Sequence, residues 1–495
     1  MSKSKYYQIN PKSQIQIIEK VPNPPEPFAA FSSLQKYPYA FFLDSACDAG
    51  KLGRFSFMGC EPFLVFASKG DSISLKWEDG SSKHFRSDPF DALQDLLERF
   101  KMRASSPDLP FTSGAVGYFS YDMKNFLEEL PDTARDDTGI PDCILGFYDS
   151  VIIYDNLRRT CVVSSTGQPS GDADRAKSRL KKLCRMLSQP HREMRGGLGS
   201  ATPRLKSNFT KASYIKAVEK AKKYIKKGDI YQVNLSQRFE APLDIHPSEL
   251  YRRLRSFSPA PFAAYLDFKD VVILSSSPER FLLKRGGYIE TRPIKGTRPR
   301  GEDASTDLAL ERELAASPKD MAEHIMIVDL ERNDLGRICE FGSVRPTESA
   351  VMEKYANVFH LVSTVSGKLR KDISAVDCLR ATFPGGSITG APKIRSMEII
   401  DELENVRRSV YTGALGYIGF DGTMDTSIVI RTFVIKDRKL YFQVGGGIVA
   451  DSDPEKEYEE TLHKARGLMQ ALGLEPQRME AAPHLLSLSG KKMCL

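Results

Sequence analysis

Apolar residues recur at helical spacing along residues 211–228, at Ile215, Val218, Ala221, Tyr224 and Ile225. That period predicts an amphipathic helix, with Gly228 as its C-cap. Directly after it the period changes. In "DIYQVNLSQRF", Tyr231, Val233, Leu235, Gln237 and Phe239 alternate with Gln232, Asn234, Ser236 and Arg238. Strict alternation predicts a strand with one packed face and one polar face, the latter either solvated or the wall of a site. Downstream, "AAYLDFKDVVILSSSPERFLLKRGGYIETRPIKGT" predicts a further strand pair, with Glu279 just past "SSSP" at a strand end. If residues 289–297 are extended, Thr291, Lys295 and Thr297 share a face and Arg292 and Arg298 point the other way.

Two later segments return to helical spacing. In "SPKDMAEHIMIVDLERND", Ser317 caps, Pro318 suits the first helical position, and Glu323 falls near the middle. In "DSDPEKEYEETLHKARGLMQALG", Asp453 and Pro454 open a helix and Gly473 closes it, with Tyr458, Leu462, Ala465, Met469 and Leu472 as its buried stripe. The N-terminal half reads differently. "FLVFASKGDSISLKW" and "YDSVIIYD" are short alternating runs, and "DPFDALQDLLERF" is helical, so a β framework with helices is predicted. Residues 188–208 are rich in Gly, Pro and Ser and read as a linker between residues 1–187 and 209–473, with 474–495 as a tail.

Composition narrows the class. A chain of 495 residues exceeds one ordinary core, and 41% hydrophobic with 27% charged residues is the balance of a soluble globular protein. No apolar run approaches the roughly 18 residues of a membrane span, and the N-terminus has no apolar signal stretch, so no membrane partner and a cytoplasmic location are expected. The formal charge is +7. Residues 176–227 hold 16 Lys/Arg against 2 Asp/Glu, leaving the remainder at −7. A basic excess confined to one linker and one helix, without interleaved aromatics, points to a solvated face or a protein docking surface and not to nucleic acid. The eight cysteines are scattered with no C-x-x-C pair, which suggests neither zinc nor a disulfide framework.

The chemistry-bearing residues are individually ambiguous. Lys295 lies in "PIKGT"; the order Lys-Gly-Thr and the flanking prolines exclude a phosphate loop, and taken alone it is a surface-turn lysine. Glu279 alone is an exposed turn carboxylate. Glu457 and Glu460 project from one helical face with Lys464 a turn beyond, which fits either Glu–Lys pairs on a solvated face or ligands for a hard cation such as Mg²⁺. Three glycine-dense stretches, "FPGGSITGAPK", "TGALGYIGFDG" and "QVGGGIVADSDP", bring bare backbone within reach of a small anion.

Taken together and in order, "GDIYQVNLSQRF", "SSSPERF", "PIKGTRPRG", "AEHIMIVDLERNDLGR", "HLVSTVSG", "FPGGSITGAPK", "GALGYIG", "IRTF" and "GGGIVADSDPEKEYEET" resemble the chorismate-utilising enzymes. The match is dense over roughly residues 208–470. It implies an α+β fold like that of anthranilate synthase component I, two facing, mainly antiparallel β-sheets flanked by helices. Two positions sort the chemistries of the family. The isochorismate and salicylate synthases carry a general-base lysine where this chain has Gln232. Anthranilate synthases have "PIAGT", whereas aminodeoxychorismate synthases have "PIKGT", and this chain is similar to the latter.

That resemblance implies Lys295 as a nucleophile that adds to the chorismate ring before ammonia enters, and Glu279 as the general acid for the departing hydroxyl. It implies Glu323, Glu460 and Glu457 as Mg²⁺ ligands, and Gly296, Thr297, His360, Tyr417, Arg431, Gly445, Gly446, Gly447 and Lys464 around chorismate. Ser45, Leu52, Gly53, Arg54, Phe55, Pro261, Phe262 and Ala263 match a remote tryptophan-binding region, although Leu43-Asp44-Ser45 departs from the usual Leu-Glu-Ser. The chain has no glutaminase motif, so a separate glutamine amidotransferase subunit is the expected ammonia donor. The alternatives are anthranilate synthase component I and a non-catalytic subunit binding chorismate or tryptophan.

Overall fold

A computed structural model describes residues 15–47, 52–103, 108–189, 203–355 and 358–474, together with the strand Ser487–Leu488. Most of the expected linker and of the expected tail lies outside these residues. Among the described residues, thirteen strands form one sheet and twelve form a second. Strand pairings are antiparallel apart from the two-residue match of Lys206–Ser207 with Ser487–Leu488. The centre of the first sheet runs Phe41–Asp44, Phe262–Asp267, Val271–Ser277, Thr432–Lys436, Lys439–Ile448, Gln232–Pro242. The second runs from Ile294–Pro299 through Val358–Lys368, Tyr288–Arg292, Arg280–Arg285, Met424–Ile428 and Ala414–Gly419 to Gly114–Phe119 and beyond.

The inner faces of the two sheets meet in one apolar layer that includes Phe41, Phe57, Tyr118, Ile144, Ile273, Leu415 and Val434. Helices Pro27–Leu34, Ala173–Leu187, Pro247–Phe257 and Pro454–Ala471 supply buried side chains to the core that includes Phe239, Leu274 and Phe442 of the first sheet. Helices Pro89–Arg99, Ala375–Thr382 and Lys393–Leu403 do the same for the core of the second. This is the expected two-sheet architecture. The expected division at residues 188–208 does not separate two sheets, however. Phe262–Asp267 pairs with Phe41–Asp44, and Ala414–Gly419 pairs with Gly114–Phe119, so both halves of the chain build both layers.

Local signals set the helix ends that matter for the site. Thr210 caps Lys211–Lys227 in a reciprocal box with Ser213, and Gly228 closes it at φ 83°. The buried residues of that helix are Tyr214, Ala217, Val218 and Ala221, of which Val218 and Ala221 were expected, while Ile215, Tyr224 and Ile225 are only half-buried. Its basic face is partly spent inside the molecule. Lys211 lies 3.6 Å from Glu455, Lys220 pairs with Glu402, and the Lys222 ammonium donates to the Ser452 carbonyl. Ser317 caps Pro318–Gly336, which puts Glu323 in the second turn and not near the middle. Asp453 caps Pro454–Ala471 by accepting from the Glu455 and Lys456 amides. None of the described cysteines is in a disulfide, and no described helix is long and apolar enough to cross a membrane.

Candidate active site

The chain crosses from the first sheet to the second between Ser277 and Arg280, and back between Ile428 and Thr432. Glu279 and Arg431 occupy these two crossings. The crossings are tied to each other: the Ile428 amide donates to the Glu279 carbonyl at 3.0 Å, and the Ser276 amide to the Arg431 carbonyl at 3.1 Å. Ser277 Oγ also donates to the Ile428 carbonyl at 2.6 Å. Arg431 has φ 51°, a left-handed conformation that an arginine keeps only where its surroundings hold it. Among the described residues its guanidinium makes no hydrogen bond or ion pair, while burial pushes its pKa down against the opposing pull of Glu279. A desolvated, uncommitted guanidinium is a ready clamp for a carboxylate.

Glu279 is buried, only 5% exposed, contrary to its reading as an isolated turn carboxylate. Its Oε1 accepts from Ser387 Oγ at 2.5 Å. The carbonyl of the same serine accepts from Lys295 Nζ at 2.7 Å. Burial raises the Glu279 pKa, and the Ser387 hydroxyl and Lys295 work against that rise. Burial likewise lowers the Lys295 pKa, with Lys464 adding to the drop and Glu279, Glu323 and Glu460 opposing it. An amine pushed toward neutrality and a carboxyl pushed toward protonation therefore share one serine.

Strand Ile294–Pro299 does not alternate as expected. Lys295 lies opposite Leu361 and Thr297 opposite His360, so Gly296 is the extra residue of a β-bulge, at φ 77°. The inference that Lys295 and Thr297 share a face from simple alternation fails for that reason. Thr297 Oγ1 instead lies 2.9 Å from His360 Nδ1. His360 is buried, its Nε2 has no partner, and burial next to Arg431 pushes its pKa down to about 3. The ring is therefore neutral, with one nitrogen open to a ligand.

The acidic helix Pro454–Ala471 packs against strand Lys439–Ile448, which carries Gly445, Gly446 and Gly447. A Cβ on Gly446 would sit 3.1 Å from Glu457 Oε2 and 3.6 Å from Glu460 Oε1, and one on Gly447 would collide with the Gln232 amide. Glu457 is buried; Ser452 Oγ donates to its Oε1 at 2.6 Å while Oε2 has no partner. Glu460 pairs with Lys464 at 2.7 Å, which holds its pKa down, and Lys464 Nζ also donates to the Gly445 carbonyl at 3.0 Å. Glu323 reaches toward the same region from helix Pro318–Gly336, which packs on the Lys295 strand; burial raises its pKa, and Glu460 adds to the rise. Among the described residues no three His, Cys, Asp or Glu side chains converge in metal-holding geometry. The donor set is all oxygen, and the orphaned Glu457 Oε2 leaves a coordination position open. That suits a cation such as Mg²⁺, which takes one or two carboxylates and completes its shell with water and substrate.

The polar face of strand Gln232–Pro242 is a wall and not a solvated surface: Gln232, Asn234, Ser236 and Arg238 are all buried. Gln232 Oε1 and Asn234 Oδ1 have no partner, so the wall presents open acceptors. Tyr231, expected on the packed face, lies just before the strand and is 73% exposed.

Tyr417 is not part of this constellation. Its ring stacks on Phe111 at a centroid distance of 4.3 Å and meets Phe57 edge-on at 5.5 Å. It lines a second pocket between the sheets together with Ser45, Leu52, Phe55, Pro261, Phe262 and Ala263. A glycine-rich strand signal locates Tyr417 but does not say which face it takes, and the face turned to the inter-sheet core prevails. Six of the eight residues matched to the tryptophan region thus line one pocket. Gly53 and Arg54 do not; the Arg54 guanidinium pairs with Asp155 at 2.8 Å. Asp44 is also among the residues lining that pocket; its Oδ2 accepts from Arg255 at 2.5 Å and from Tyr251 at 3.2 Å, and its Oδ1 is buried without a partner.

Residues 61–470 match the family described as chorismate binding enzyme. The chain belongs to that family. It is 41% identical to anthranilate synthase component 1 of Pseudomonas aeruginosa over 466 residues, covering 92% of this chain and 94% of the relative. It is equally 41% identical to aminodeoxychorismate synthase component 1 of Salmonella typhimurium over 443 residues, covering 89% and 95%. The crystal structure of anthranilate synthase component I from Streptococcus pneumoniae superposes with a TM-score of 0.76 at 33% identity, covering 86% of this chain and 94% of that one. Both names recur among the relatives, with anthranilate synthases better represented.

Of the residues singled out in the sequence, Glu279 and Arg431 occupy the sheet crossings, Lys295 reaches the serine that binds Glu279, and His360 lies beside Thr297 and near Arg431. Sequence reading missed Ser387, which lies inside the quoted "FPGGSITGAPK" stretch. A hydroxyl residue amid glycines was the available signal, but only the fold shows that it reaches both Glu279 and Lys295.

Proposed function

We propose that this chorismate binding enzyme aminates chorismate to 4-amino-4-deoxychorismate through a covalent adduct on Lys295, with ammonia supplied by a separate glutamine amidotransferase subunit. The observation that carries this reading is the placement of Lys295 Nζ and the Glu279 carboxyl on either side of Ser387. An anthranilate-forming route has no use for an amine at that position.

In this reading the carboxylate of chorismate that is not on the ring is drawn to the uncommitted Arg431 guanidinium, and the open acceptors of Gln232 and Asn234 face the substrate. The neutral Lys295 amine forms a bond to ring C2 as the C4–O bond breaks, and Glu279 gives its proton to the departing hydroxyl, which leaves as water. Ammonia then forms a bond to C4 as the C2–N bond to Lys295 breaks, and the proton lost by the incoming nitrogen returns to Glu279. The balance is chorismate plus ammonia to aminodeoxychorismate plus water. Ser387 serves both halves, orienting the acid through its hydroxyl and the amine through its carbonyl. Glu460 and Glu457, with Glu323 approaching from the facing helix, would hold Mg²⁺, which would supply positive charge to orient the ring carboxylate. Relatives of both kinds are named component 1, which supports a second, ammonia-delivering component.

The better representation of anthranilate synthases among the relatives favours a second reading, anthranilate synthase component I. One assay separates the two. Purified chain is given chorismate, Mg²⁺ and an ammonium salt, with mass spectrometry for aminodeoxychorismate and fluorescence for anthranilate. Aminodeoxychorismate that vanishes in Lys295→Ala supports the first reading, and anthranilate from the wild-type chain overturns it. For the second pocket we propose an amino acid with an aromatic side chain, tryptophan in particular, its ammonium meeting Asp44 Oδ1. Calorimetric titration with L-tryptophan tests this, and no heat of binding from the native chain counts against it.

A further inference from the structure

Ser387 is held from both sides by buried charged side chains. On one side the Gly386 amide donates to Glu331 Oε1 at 3.0 Å. On the other, Arg408 Nη1 donates to the Ile388 carbonyl at 3.0 Å. The entry to the loop is stapled by Lys393, whose Nζ donates to the carbonyls of Thr382 and Pro384, each at 2.8 Å, and to Asp334 at 2.5 Å. Glu331 and Asp334 are both buried, three residues apart on helix Pro318–Gly336. Gly386 permits the close approach, because a Cβ there would come 2.7 Å from Leu330 Cδ2 and 3.1 Å from Glu331 Oε1.

A buried carboxylate is a costly way to fill space, and an apolar side chain of similar volume packs as well or better. Glu331 is not paired in a salt bridge with Lys393; its observed partner is one backbone amide of the active-site loop. Burial and the neighbouring Asp334 raise its pKa, so it presents an oxygen acceptor more than a charge.

We propose that Glu331 is a positioning residue: by fixing the Gly386 amide it sets Ser387, and through Ser387 the relative placement of Lys295 and Glu279. This rests on the reading of Lys295 and Glu279 as the reacting pair. Glu331 touches neither of them and acts one layer behind the pocket.

The test compares Glu331→Gln, which keeps an oxygen acceptor, with Glu331→Leu, which removes it. Residual chorismate is separated by chromatography and quantified, so the rate is read whichever product forms, alongside melting temperature. A misplacement on the order of 1 Å can cost about a hundredfold in rate, so Glu331→Leu is expected to lower kcat by about tenfold or more while KM stays within about twofold. Glu331→Gln is expected to recover kcat to within about threefold of the native chain, since its amide oxygen can accept the same hydrogen bond. A native kcat in the leucine variant, a change confined to KM, or a glutamine variant no better than leucine would each overturn the proposal. Should leucine not fold, the unbranched Glu331→Met makes the same comparison; failure of both to fold assigns Glu331 to stability and also overturns it. Anthranilate as the product would overturn the aminodeoxychorismate reading yet leave this comparison intact.

Discussion

The Ser387 hydroxyl donates to Glu279 at 2.5 Å while the Ser387 carbonyl receives the Lys295 ammonium at 2.7 Å, so one residue bridges the acid and the nucleophile. Their titrations are coupled, since each is among the charges that shift the other. The pair is best regarded as carrying one proton, which burial moves from the amine toward the carboxyl.

The reactive form has that proton on Glu279 and none to spare on Lys295. Activity is therefore expected to rise with pH as the pair loses its first proton, and to fall as it loses the second, giving a bell-shaped kcat profile. In Glu279→Gln the falling limb should disappear. The glutamine is neutral, as Glu279 is in the reactive form, so the rising limb should persist and stay in place or move to higher pH as Lys295 titrates alone. Residual turnover should drop by about 10²- to 10⁴-fold. A falling limb that survives in the glutamine variant would assign it to some other group.

Arg431 offers a cleaner test of binding. Its guanidinium has no protein partner among the described residues and is already desolvated, so a substrate carboxylate gains nearly the full charge-assisted interaction. Replacement by lysine keeps the charge but loses the planar fork. A loss of about 1.5–3 kcal/mol is expected. That corresponds to KM for chorismate rising about ten- to a hundredfold. An unchanged KM in Arg431→Lys would remove Arg431 from the substrate contacts.

How much of this was legible in the sequence depends on the range of the interaction. The caps at Ser317, Asp453 and Gly228 are local hydrogen-bonding events, and residue type with spacing sufficed to place them. The strand from Gln232 was equally local. Its polar face being buried was not, because that depends on the Gly445–Gly447 strand, more than 200 residues away, lying beside it. Lys295 and Thr297 were misjudged because a bulge at Gly296 interrupts a period that sequence reading assumes to be unbroken. Tyr417 was assigned to the wrong pocket because both sides of its strand are buried, leaving no polarity contrast to fix its face. Ser387 and Glu331 escaped notice for a related reason: their roles exist only where a glycine loop meets the helix that carries Glu331.

Gly446 tests the metal proposal without touching a ligand. A methyl group there would lie 3.1 Å from Glu457 Oε2, tight enough to push that carboxylate aside by a few tenths of an ångström. If Glu457 helps to hold Mg²⁺, Gly446→Ala should raise the Mg²⁺ concentration for half-maximal activity by about tenfold, the scale of disturbances that misorient a ligand. A Mg²⁺ titration of turnover reads this directly. An unchanged half-saturation point with an altered KM would move Gly446 to the substrate side of the wall.

The floor beneath the site rests on Arg408 and Glu404, which are 1% and 2% exposed at the side chain and pair at 2.7 Å. Arg408 also donates to the carbonyls of Asn234 at 2.8 Å and Ile388 at 3.0 Å, while Glu404 Oε1 accepts from the Ser236 amide at 2.8 Å and hydroxyl at 2.7 Å. The pair thus joins the polar strand face to the Ser387 loop. Removing one partner strands the other charge in the interior, so Arg408→Met should cost about 3–5 kcal/mol of folding stability. Replacing both, as Arg408→Met with Glu404→Gln, relieves the stranded charge and should recover part of that loss. Urea denaturation of the three variants measures the coupling. If the double variant is as unstable as the sum of the two single ones, the bridge acts as two independent anchors, one for each of the elements it joins.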